Sequence, residues 1–478
     1  MVFSSIPFLY YFLPIVLLAY FLIPVKGRNA VLLLASLIFY AWGEPVYVFL
    51  MLVSVAVGYL AGLLLGKNRE KKPGGSAQKA VLTVSVLFFL SIFVSFKYTD
   101  FFISNFNAVT GLSVPLLQIV LPVGISFYTF QIISYLVDVY RGDAAPQKNF
   151  VSLATYITMF PQLIAGPIVR YTDIEKQMKG RTTSFAMTES GIFRFIIGLS
   201  KKILIANELG ALCELFRKSG EQSVLYYWMY AVAFALHIYV DFSGYSDMAI
   251  GLGRIFGFTL AENFNYPYIS RSVTEFWRRW HISLGSWFRD YLYIPLGGNR
   301  VPAWKWYRNI FVVWMVTGLW HGASWNFVLW GLYFGMLLVI EKKWLLAILE
   351  KGKGWQHVYV LLLVIISFVV FNATDMAQAI GDIRCMLGMG GLPLLSSEAL
   401  YYIRSYGVTL IVAVLGATPI PVSVWRTLRN RLQNKKNENK VSLLALHGFK
   451  IAGAVFLLLL CTAYLVDGSF NPFLYFRF

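Results

Sequence analysis

Charged residues are scarce in this sequence. Asp, Glu, Lys and Arg make up 13% of its 478 residues, while 58% are hydrophobic and 17% are aromatic. A soluble domain carries about a quarter charged residues, so a water-soluble fold is excluded. Cysteine is also rare, and the spacing of Cys213, Cys385 and Cys461 indicates neither a disulfide framework nor a metal site.

Several short signatures of soluble chemistry and of export are missing as well. The sequence contains no GxGxxG, P-loop, HExxH or GxSxG pattern, so dinucleotide, nucleotide-driven and zinc chemistry are unsupported. The N-terminus has no basic region before its first apolar run and no small-residue cleavage site. The first segment is therefore predicted to be a retained membrane span.

Long apolar runs dominate what is present. A membrane-spanning helix needs about 20 apolar residues. Ten segments are predicted to cross: residues 6–24, 29–42, 45–66, 80–96, 117–140, 190–212, 224–242, 357–371, 401–419 and 449–465. The predicted fold class is therefore an all-α polytopic integral membrane protein, formed as one membrane domain over residues 1–478.

The basic residues lie between these runs. The net charge of +18 comes from 41 Lys and Arg against 23 Asp and Glu. Charge on one soluble face would indicate nucleic acid, but short basic segments between spans follow the positive-inside pattern, whose ordinary partner is anionic membrane lipid. Residues 67–79 and 426–440 are the most basic stretches and are predicted to be cytoplasmic, which places the N-terminus outside.

Two apolar segments have basic residues at both ends, so neither is predicted to cross the membrane as a single helix. Residues 150–167 contain two prolines that interrupt a helix, which predicts a re-entrant hairpin. Residues 309–340 are too long for one crossing and are predicted to form two helices that meet near residues 320–324. Non-helical backbone at membrane depth is tolerated only beside protein or a water-filled cavity, so His321 is predicted to face an internal cavity.

The segment 243–308 contains no predicted crossing and is rich in Arg and Trp. It is predicted to be an aromatic and basic segment on the cytoplasmic face. Helical spacing places Phe276, Trp280 and Leu284 on one stripe, which predicts an amphipathic helix at the membrane interface.

His321 is the strongest candidate for chemistry. An ionisable side chain inside a span is costly, by about 2.5 to 3.5 kcal/mol for Arg, Lys or Asp, and is a functional candidate for that reason. A histidine can take a proton from a hydroxyl or a thiol near neutral pH. The alternative is a neutral core histidine that is hydrogen-bonded to a backbone carbonyl.

Three other ionisable residues are weaker candidates. His237 and Asp241 lie on one face of the predicted span 224–242, which predicts an orienting pair, although a polar helix contact explains them equally well. His281 lies in the cytoplasmic aromatic segment. There it either contacts an entering donor or is an interfacial residue beside Trp280.

Six runs of the sequence resemble those of the membrane-bound O-acyltransferases. Within that family they are most similar to the branch of the bacterial alginate O-acetyltransferases and the teichoic acid D-alanylation membrane proteins. The runs are MVFSSIPFL from Met1, PVGISFYTFQIISYLVDVYRG from Pro122, FPQLIAGPIVR from Phe160, VDFSGYSDMAIGLGRIFGF from Val240, FWRRWHISLGSWFRDYLYIPLGGNR from Phe276 and TGLWHGASWNFVLWG from Thr317.

The resemblance implies a helical bundle around a central tunnel, with a cytoplasmic entrance for the acyl donor. His321 matches the family's catalytic histidine, and His281 matches its second histidine. The similarity to the alginate branch implies acetyl transfer toward an extracytoplasmic polysaccharide, from acetyl-CoA or an acyl-carrier thioester, in the bacterial plasma membrane. No cofactor is expected to be resident. The donor's phosphates are expected to meet basic side chains, with Arg278, Arg279, Arg289 and Arg300 as the candidates.

Residues 470–478 form an aromatic C-terminal tail that is predicted to be extracytoplasmic. The tail resembles one that the teichoic acid system keeps on a separate small protein, whose tyrosine is thought to carry the acyl group. Tyr475 occupies the matching place. The resemblance implies that an extracytoplasmic acetyltransferase of the SGNH serine hydrolase type passes the group on to the polysaccharide. The alternative is that these aromatic residues anchor the final helix at the interface.

The residues leave other function classes open. A transporter or flippase often has internal repeats with paired broken helices, whereas the two broken segments here are unlike in sequence. A scaffold for envelope assembly would not require a buried histidine. The acceptor remains open among alginate, another exopolysaccharide, cellulose, peptidoglycan and teichoic acid, and D-alanyl or another acyl group remains an alternative to acetyl.

Overall fold

A computed structural model describes residues 1–164, 166–433, 439–468 and 471, and these residues form helices and loops without any strand. The first eleven helices are α1 Leu13–Leu22, α2 Arg28–Ala41, α3 Tyr47–Lys71, α4 Ser76–Thr110, α5 Ile125–Arg141, α6 Phe150–Thr158, α7 Phe160–Leu163, α8 Tyr171–Lys179, α9 Phe185–Ser200, α10 Asn207–Lys218 and α11 Val224–Ile255.

The second eleven helices complete the bundle. They are α12 Val273–Arg279, α13 Ile282–Phe288, α14 Ala303–His321, α15 Trp325–Ile340, α16 Leu346–Glu350, α17 Trp355–Asn372, α18 Met376–Met386, α19 Ser397–Ser405, α20 Gly407–Gly416, α21 Ile420–Gln433 and α22 Asn439–Val466. Short π-helical stretches occur at Pro7–Phe12, Lys201–Ala206, Arg289–Tyr293 and Glu341–Leu345, and short 3₁₀ turns at Val25–Gly27 and Pro267–Ile269.

Five helices of the described chain are long and apolar enough to cross a membrane: α3, α4, α11, α17 and the part of α22 from Ala445 to Val466. Helices α19 and α20 form a sixth candidate if their pair, bent by 58°, is one span. The prediction of an all-α polytopic membrane protein is confirmed. The number of ten crossings stays a prediction.

Helix α11 is the central element, because most of its membrane-length part is buried inside the bundle. It continues to Ile255, past the predicted end of that span at residue 242. The sequence did not predict this extension, because Asp247 is charged and a charged residue normally argues against a span. In the folded protein the Asp247 carboxylate is paired at 2.7 Å with both Arg194 on α9 and Lys201 in the adjoining π-helical stretch.

Two other predicted boundaries differ in the structure. The predicted span 117–140 is helical only from Ile125, because Gly124 adopts a left-handed backbone with φ +76°. A Cβ at that glycine would lie 2.9 Å from the Leu163 carbonyl oxygen. The stripe of Phe276, Trp280 and Leu284 is buried in the protein core and lies on two helices, since the chain breaks between α12 and α13. It therefore does not form the single amphipathic interfacial helix that was predicted.

The two predicted helix breaks are present. Residues 150–167 contain α6 and α7, separated at Met159, and residues 309–340 contain the end of α14 and all of α15. The break at Met159 is fully buried, whereas the break at residues 322–324 is partly buried. The re-entrant course of residues 150–167 through the membrane stays a prediction.

Candidate active site

The break between α14 and α15 determines the position of His321. His321 is the last residue of α14, and Gly322 continues in an extended conformation. The two helices cross closely, because a Cβ at Gly331 would lie 2.2 Å from the Trp314 carbonyl oxygen. Small residues at such crossings are typical of membrane helix packing. The imidazole is therefore held at the apex of a tightly packed helix pair.

Three aromatic rings surround the imidazole of His321. Trp320, Trp330 and Phe371 have ring centroids 4.9, 5.0 and 5.3 Å from it, each nearly perpendicular to its plane. The His321 side chain keeps partial exposure. Within the part of the chain that the structure describes, its ring nitrogens make no hydrogen bond, so the backbone bond of the alternative interpretation is not found there.

His281 lies in the break between α12 and α13, where its backbone is left-handed with φ +44°. Its side chain is buried, and its Nδ1 lies 3.1 Å from Oδ1 of Asn263. The same oxygen accepts hydrogen bonds from the backbone N–H and the hydroxyl of Ser283, at 3.2 and 2.9 Å. Because an amide oxygen only accepts, Nδ1 of His281 carries the proton and Nε2 keeps its lone pair.

Trp320 connects the two histidines. Its ring centroid is 6.1 Å from that of His281 and 4.9 Å from that of His321. Both the indole N–H of Trp320 and Nε2 of His281 are buried and lack a hydrogen-bond partner among the described residues. Buried polar atoms are nearly always paired. A polar group that binds beside the half-buried imidazole of His321 could pair with this donor and this acceptor.

A cavity of about 1150 Å³ opens beside this region. Helices α9, α11 and α20 to α22 line it, together with residues 262–266, and its wall includes Asn263 and Ile282, which adjoin His281. Apolar and aromatic side chains form much of the wall. Arg194 and Lys201 are paired there with Asp247, and Arg426 adds a positive charge. The cavity therefore has room for an elongated ligand and reaches the residues that hold His281.

The four arginines predicted to meet the donor do not form one cluster. Arg278 and Arg300 are exposed, and Arg279 donates to Glu275 at 2.8 Å and to the Asn265 carbonyl at 3.0 Å. Arg289 pairs with Asp290 at 2.6 Å. All four belong to the described chain, and none lines the large cavity. Their role in donor binding stays a prediction.

Asp290 is also paired with Arg170, at 2.6 Å. Burial raises the pKa of the Asp290 carboxyl, but the neighbouring Arg289 and Arg170 outweigh burial and hold that pKa below its ordinary value. Asp290 therefore stays ionised near neutral pH. It ties the segment after α13 to the loop before α8.

His237 and Asp241 have separate partners on one π-helical turn. His237 donates from Nδ1 to the Ala206 carbonyl at 2.7 Å, and Asp241 forms an ion pair with Lys202 at 2.6 Å. All these groups are deeply buried. The two residues therefore fix α11 to the turn between α9 and α10. Their supporting role at the site stays a prediction.

Tyr475 and nearly all of the tail 470–478 lie outside the described residues. Asn471 is the exception. Its amide donates to the Ser4 carbonyl at 2.7 Å, and its carbonyl oxygen accepts from the Asn207 amide at 3.2 Å. The start of the tail is therefore held between the N-terminus and α10.

Sequence reasoning missed several residues that shape the site. Asn263 orients His281, and Trp330 and Phe371 enclose His321. Lys97 on α4 contacts the backbone at the end of α14. Only Lys97 had a usable signal, because it directly follows a long apolar run and is separated by that run from the basic segment that ends at Lys79. The others look like ordinary polar or aromatic residues in the sequence.

Comparison with known proteins gives a consistent result. The profile described as MBOAT, the membrane-bound O-acyltransferase family, matches residues 143–377. A protein of Azotobacter vinelandii named "Probable alginate O-acetylase AlgI" is 42% identical over 395 residues, which cover 82% of this chain and 79% of that protein.

Two further relatives extend over most of the chain. A protein of Pseudomonas putida with the same name is 37% identical over 497 residues, which cover 100% of both chains. A protein of Helicobacter pylori named "Peptidoglycan O-acetyltransferase" is 33% identical over 461 residues, covering 88% of this chain and 86% of that protein.

Proposed function

Because the chain belongs to the membrane-bound O-acyltransferase family, we propose that it passes an acetyl group from a cytoplasmic thioester across the membrane for O-acetylation of an extracytoplasmic polysaccharide. The names of the relatives, alginate O-acetylase and peptidoglycan O-acetyltransferase, support acetyl as the group and a polymer as the final acceptor. One observation carries the proposal: His281 and His321 both pack against Trp320, next to a cavity whose wall includes Asn263 and Ile282, the neighbours of His281.

His321 is the general base in this mechanism. The acceptor hydroxyl attacks the carbonyl carbon of the thioester while His321 takes the hydroxyl proton. The carbon–sulfur bond then breaks, the new ester forms, and the proton passes to the departing thiolate to give a thiol. General-base catalysis of this kind contributes about 10²- to 10⁴-fold in rate. The imidazole of His321 has no hydrogen-bond partner among the residues that the structure describes, so it is available for the proton.

The surroundings of His321 suit the charge that develops during transfer. Negative charge forms on the former carbonyl oxygen, and a buried donor stabilises it best where water is excluded. The indole N–H of Trp320 is buried, lacks a partner among the described residues, and belongs to a ring in contact with both histidines. Trp330 and Phe371 complete the apolar enclosure around the reacting groups.

The large cavity is the entrance for the donor. Its apolar wall suits an acyl-pantetheine arm, and Arg426 on that wall suits the phosphates of acetyl-CoA or of an acyl carrier. His281 adjoins Asn263 and Ile282 on the cavity wall. Its Nε2 has no hydrogen-bond partner among the described residues and can accept a hydrogen bond from an entering donor. The exposed Arg278 and Arg300 form a competing location for the phosphates.

Tyr475 is the hydroxyl that first receives the acetyl group, and an SGNH-type acetyltransferase outside the membrane then transfers it to the polysaccharide. A phenyl ester is still an activated ester, so the second transfer need not run uphill. The contacts of Asn471 support this arrangement, because they hold the start of the tail on the protein rather than in lipid. The site of action is the bacterial plasma membrane.

The test is transfer of radiolabelled acetyl from acetyl-CoA to purified protein in nanodiscs. Wild type is compared with His321→Ala, Tyr475→Phe and, as a matched control, His447→Ala, since His447 is exposed on α22. We expect wild type and the control to retain label and the other two variants to lose it.

Other outcomes lead to other conclusions. Label lost only in His321→Ala would keep the enzyme and leave the tail as an anchor or docking element. Label in all four samples would remove His321 from the mechanism. Absence of label from all of them, together with donor uptake into proteoliposomes, would favour the transporter class.

A further inference from the structure

The C-terminal end of α14 is bound by two adjacent side chains of α4. The Lys97 ammonium donates to the Trp320 carbonyl and, at 3.3 Å, to the His321 carbonyl. The Tyr98 hydroxyl donates to the Leu319 carbonyl at 2.5 Å. Three of the last four carbonyls of α14 therefore have a donor from α4.

Such donors are needed because this helix ends inside the bundle. The last four carbonyls of any helix have no partner within it, and in a membrane each unpaired group costs several kcal/mol. Gly322 leaves α14 in an extended conformation, so the following chain does not continue the ladder. A positive charge at a helix C-terminus is also favoured by the helix dipole.

Lys97 is unusual for its location. It lies within a helix that is otherwise apolar enough to cross a membrane, and its ammonium is 5.8 Å from the Phe93 ring centroid and 6.0 Å from that of Trp320. A lysine at such a depth is costly, and it persists only where it has partners or a function. Here the partners are the backbone of the two residues that form the candidate site.

We propose that Lys97 is a positioning residue for the acyl transfer, which fixes the imidazole of His321 and the indole of Trp320 by holding their carbonyls at the end of α14. This inference rests on the proposed function. Lys97 acts through backbone geometry, since a displacement of about 1 Å in a catalytic group costs roughly 10²-fold in rate.

The test compares Lys97→Met, Lys97→Arg and Lys353→Met in steady-state acetyl transfer from acetyl-CoA. Methionine keeps the length and apolar stem of lysine but removes the donors and the charge, whereas arginine keeps both. Lys353 is exposed in the turn after α16 and is the matched control. We expect Lys97→Met to lower kcat by roughly 10²-fold with KM for acetyl-CoA within about threefold of wild type. Lys97→Arg should recover at least a tenth of wild-type kcat.

A second measurement does not depend on turnover. Modification of His321 by diethyl pyrocarbonate, followed at that residue by mass spectrometry, should change in rate in Lys97→Met while modification of His447 stays the same. If Lys97→Met fails to fold, Tyr98→Phe removes one of the three contacts and should lower kcat by several-fold. Wild-type kcat and unchanged His321 modification in a folded Lys97→Met would overturn the positioning role. Inactive wild type would instead refute the proposed function.

Discussion

Replacing Asn263 by alanine tests whether the second histidine needs a defined proton position. Its Oδ1 accepts three hydrogen bonds, from His281 Nδ1 and from the backbone and hydroxyl of Ser283. Alanine leaves all three buried donors unpaired. With a penalty of about 1 to 3 kcal/mol for each, the free energy of unfolding should fall by at least about 3 kcal/mol.

The same change should affect catalysis separately from stability. Without Asn263, the proton of His281 is no longer held on Nδ1. It can then move to Nε2, which in that tautomer cannot accept a hydrogen bond. We expect turnover in acetyl transfer to fall by roughly 10²-fold, the lower end of what a misplaced acid–base group costs. Asn263→Asp restores the acceptor for all three donors and should recover folding. Both properties are measurable on one preparation, by thermal inactivation in detergent and by initial rates.

Ser283→Ala separates the two effects. It removes one donor to Asn263 and leaves the Ile168 N–H, which donates to the Ser283 hydroxyl at 3.0 Å, without its partner. The His281–Asn263 bond remains. This variant should lose about 1 to 3 kcal/mol of stability with turnover close to wild type. Wild-type turnover in a folded Asn263→Ala would refute the reasoning about His281.

Two further predictions follow from the geometry. Gly331→Leu should prevent accumulation of folded protein, because even a Cβ there would lie 2.2 Å from a carbonyl oxygen of the facing helix. The control Gly407→Leu should fold, because nothing lies within 4 Å of a Cβ at that position. Size-exclusion chromatography of both variants checks this, and a monodisperse Gly331→Leu protein would contradict the close crossing. Arg426→Ala should raise KM for acetyl-CoA by about tenfold if the phosphates bind in the large cavity, a loss of about 1.4 kcal/mol typical of a charged hydrogen bond, while Arg300→Ala should leave KM within about twofold. The reverse result would place the donor at the exposed arginines.

The helical architecture and both helix breaks were predictable from the sequence, because they depend on local signals. Apolar length predicted the membrane-length helices, and excess length with basic residues at both ends indicated that α14 and α15 separate. His321 stood out for the same reason, as an ionisable residue in an apolar run. The resemblance to known acyltransferases then matched His321 and His281 to the family's two histidines.

The rest depends on contacts between distant segments. Asn263 lies in a loop that precedes α12, and nothing in its neighbours indicates that it orients His281. The continuation of α11 was hidden because the sequence shows the charge of Asp247 but not its ion pairs with Arg194 and Lys201. The break at His281 was hidden as well, since its left-handed backbone follows from packing rather than from a glycine.

The length of α14 has a consequence for the reach of the donor. The basic residues Lys305 and Arg308 lie in its first two turns, on the side predicted to be cytoplasmic, and His321 lies at its other end, 13 residues after Arg308. At about 1.5 Å per residue this separation is about 20 Å, roughly two thirds of the hydrocarbon thickness of about 30 Å. The helix thus sets the distance that the acyl end of the donor must cover. In the proposed mechanism, a donor with a long, thin arm brings its carbonyl to the imidazole while its bulky head stays on the side predicted to be cytoplasmic.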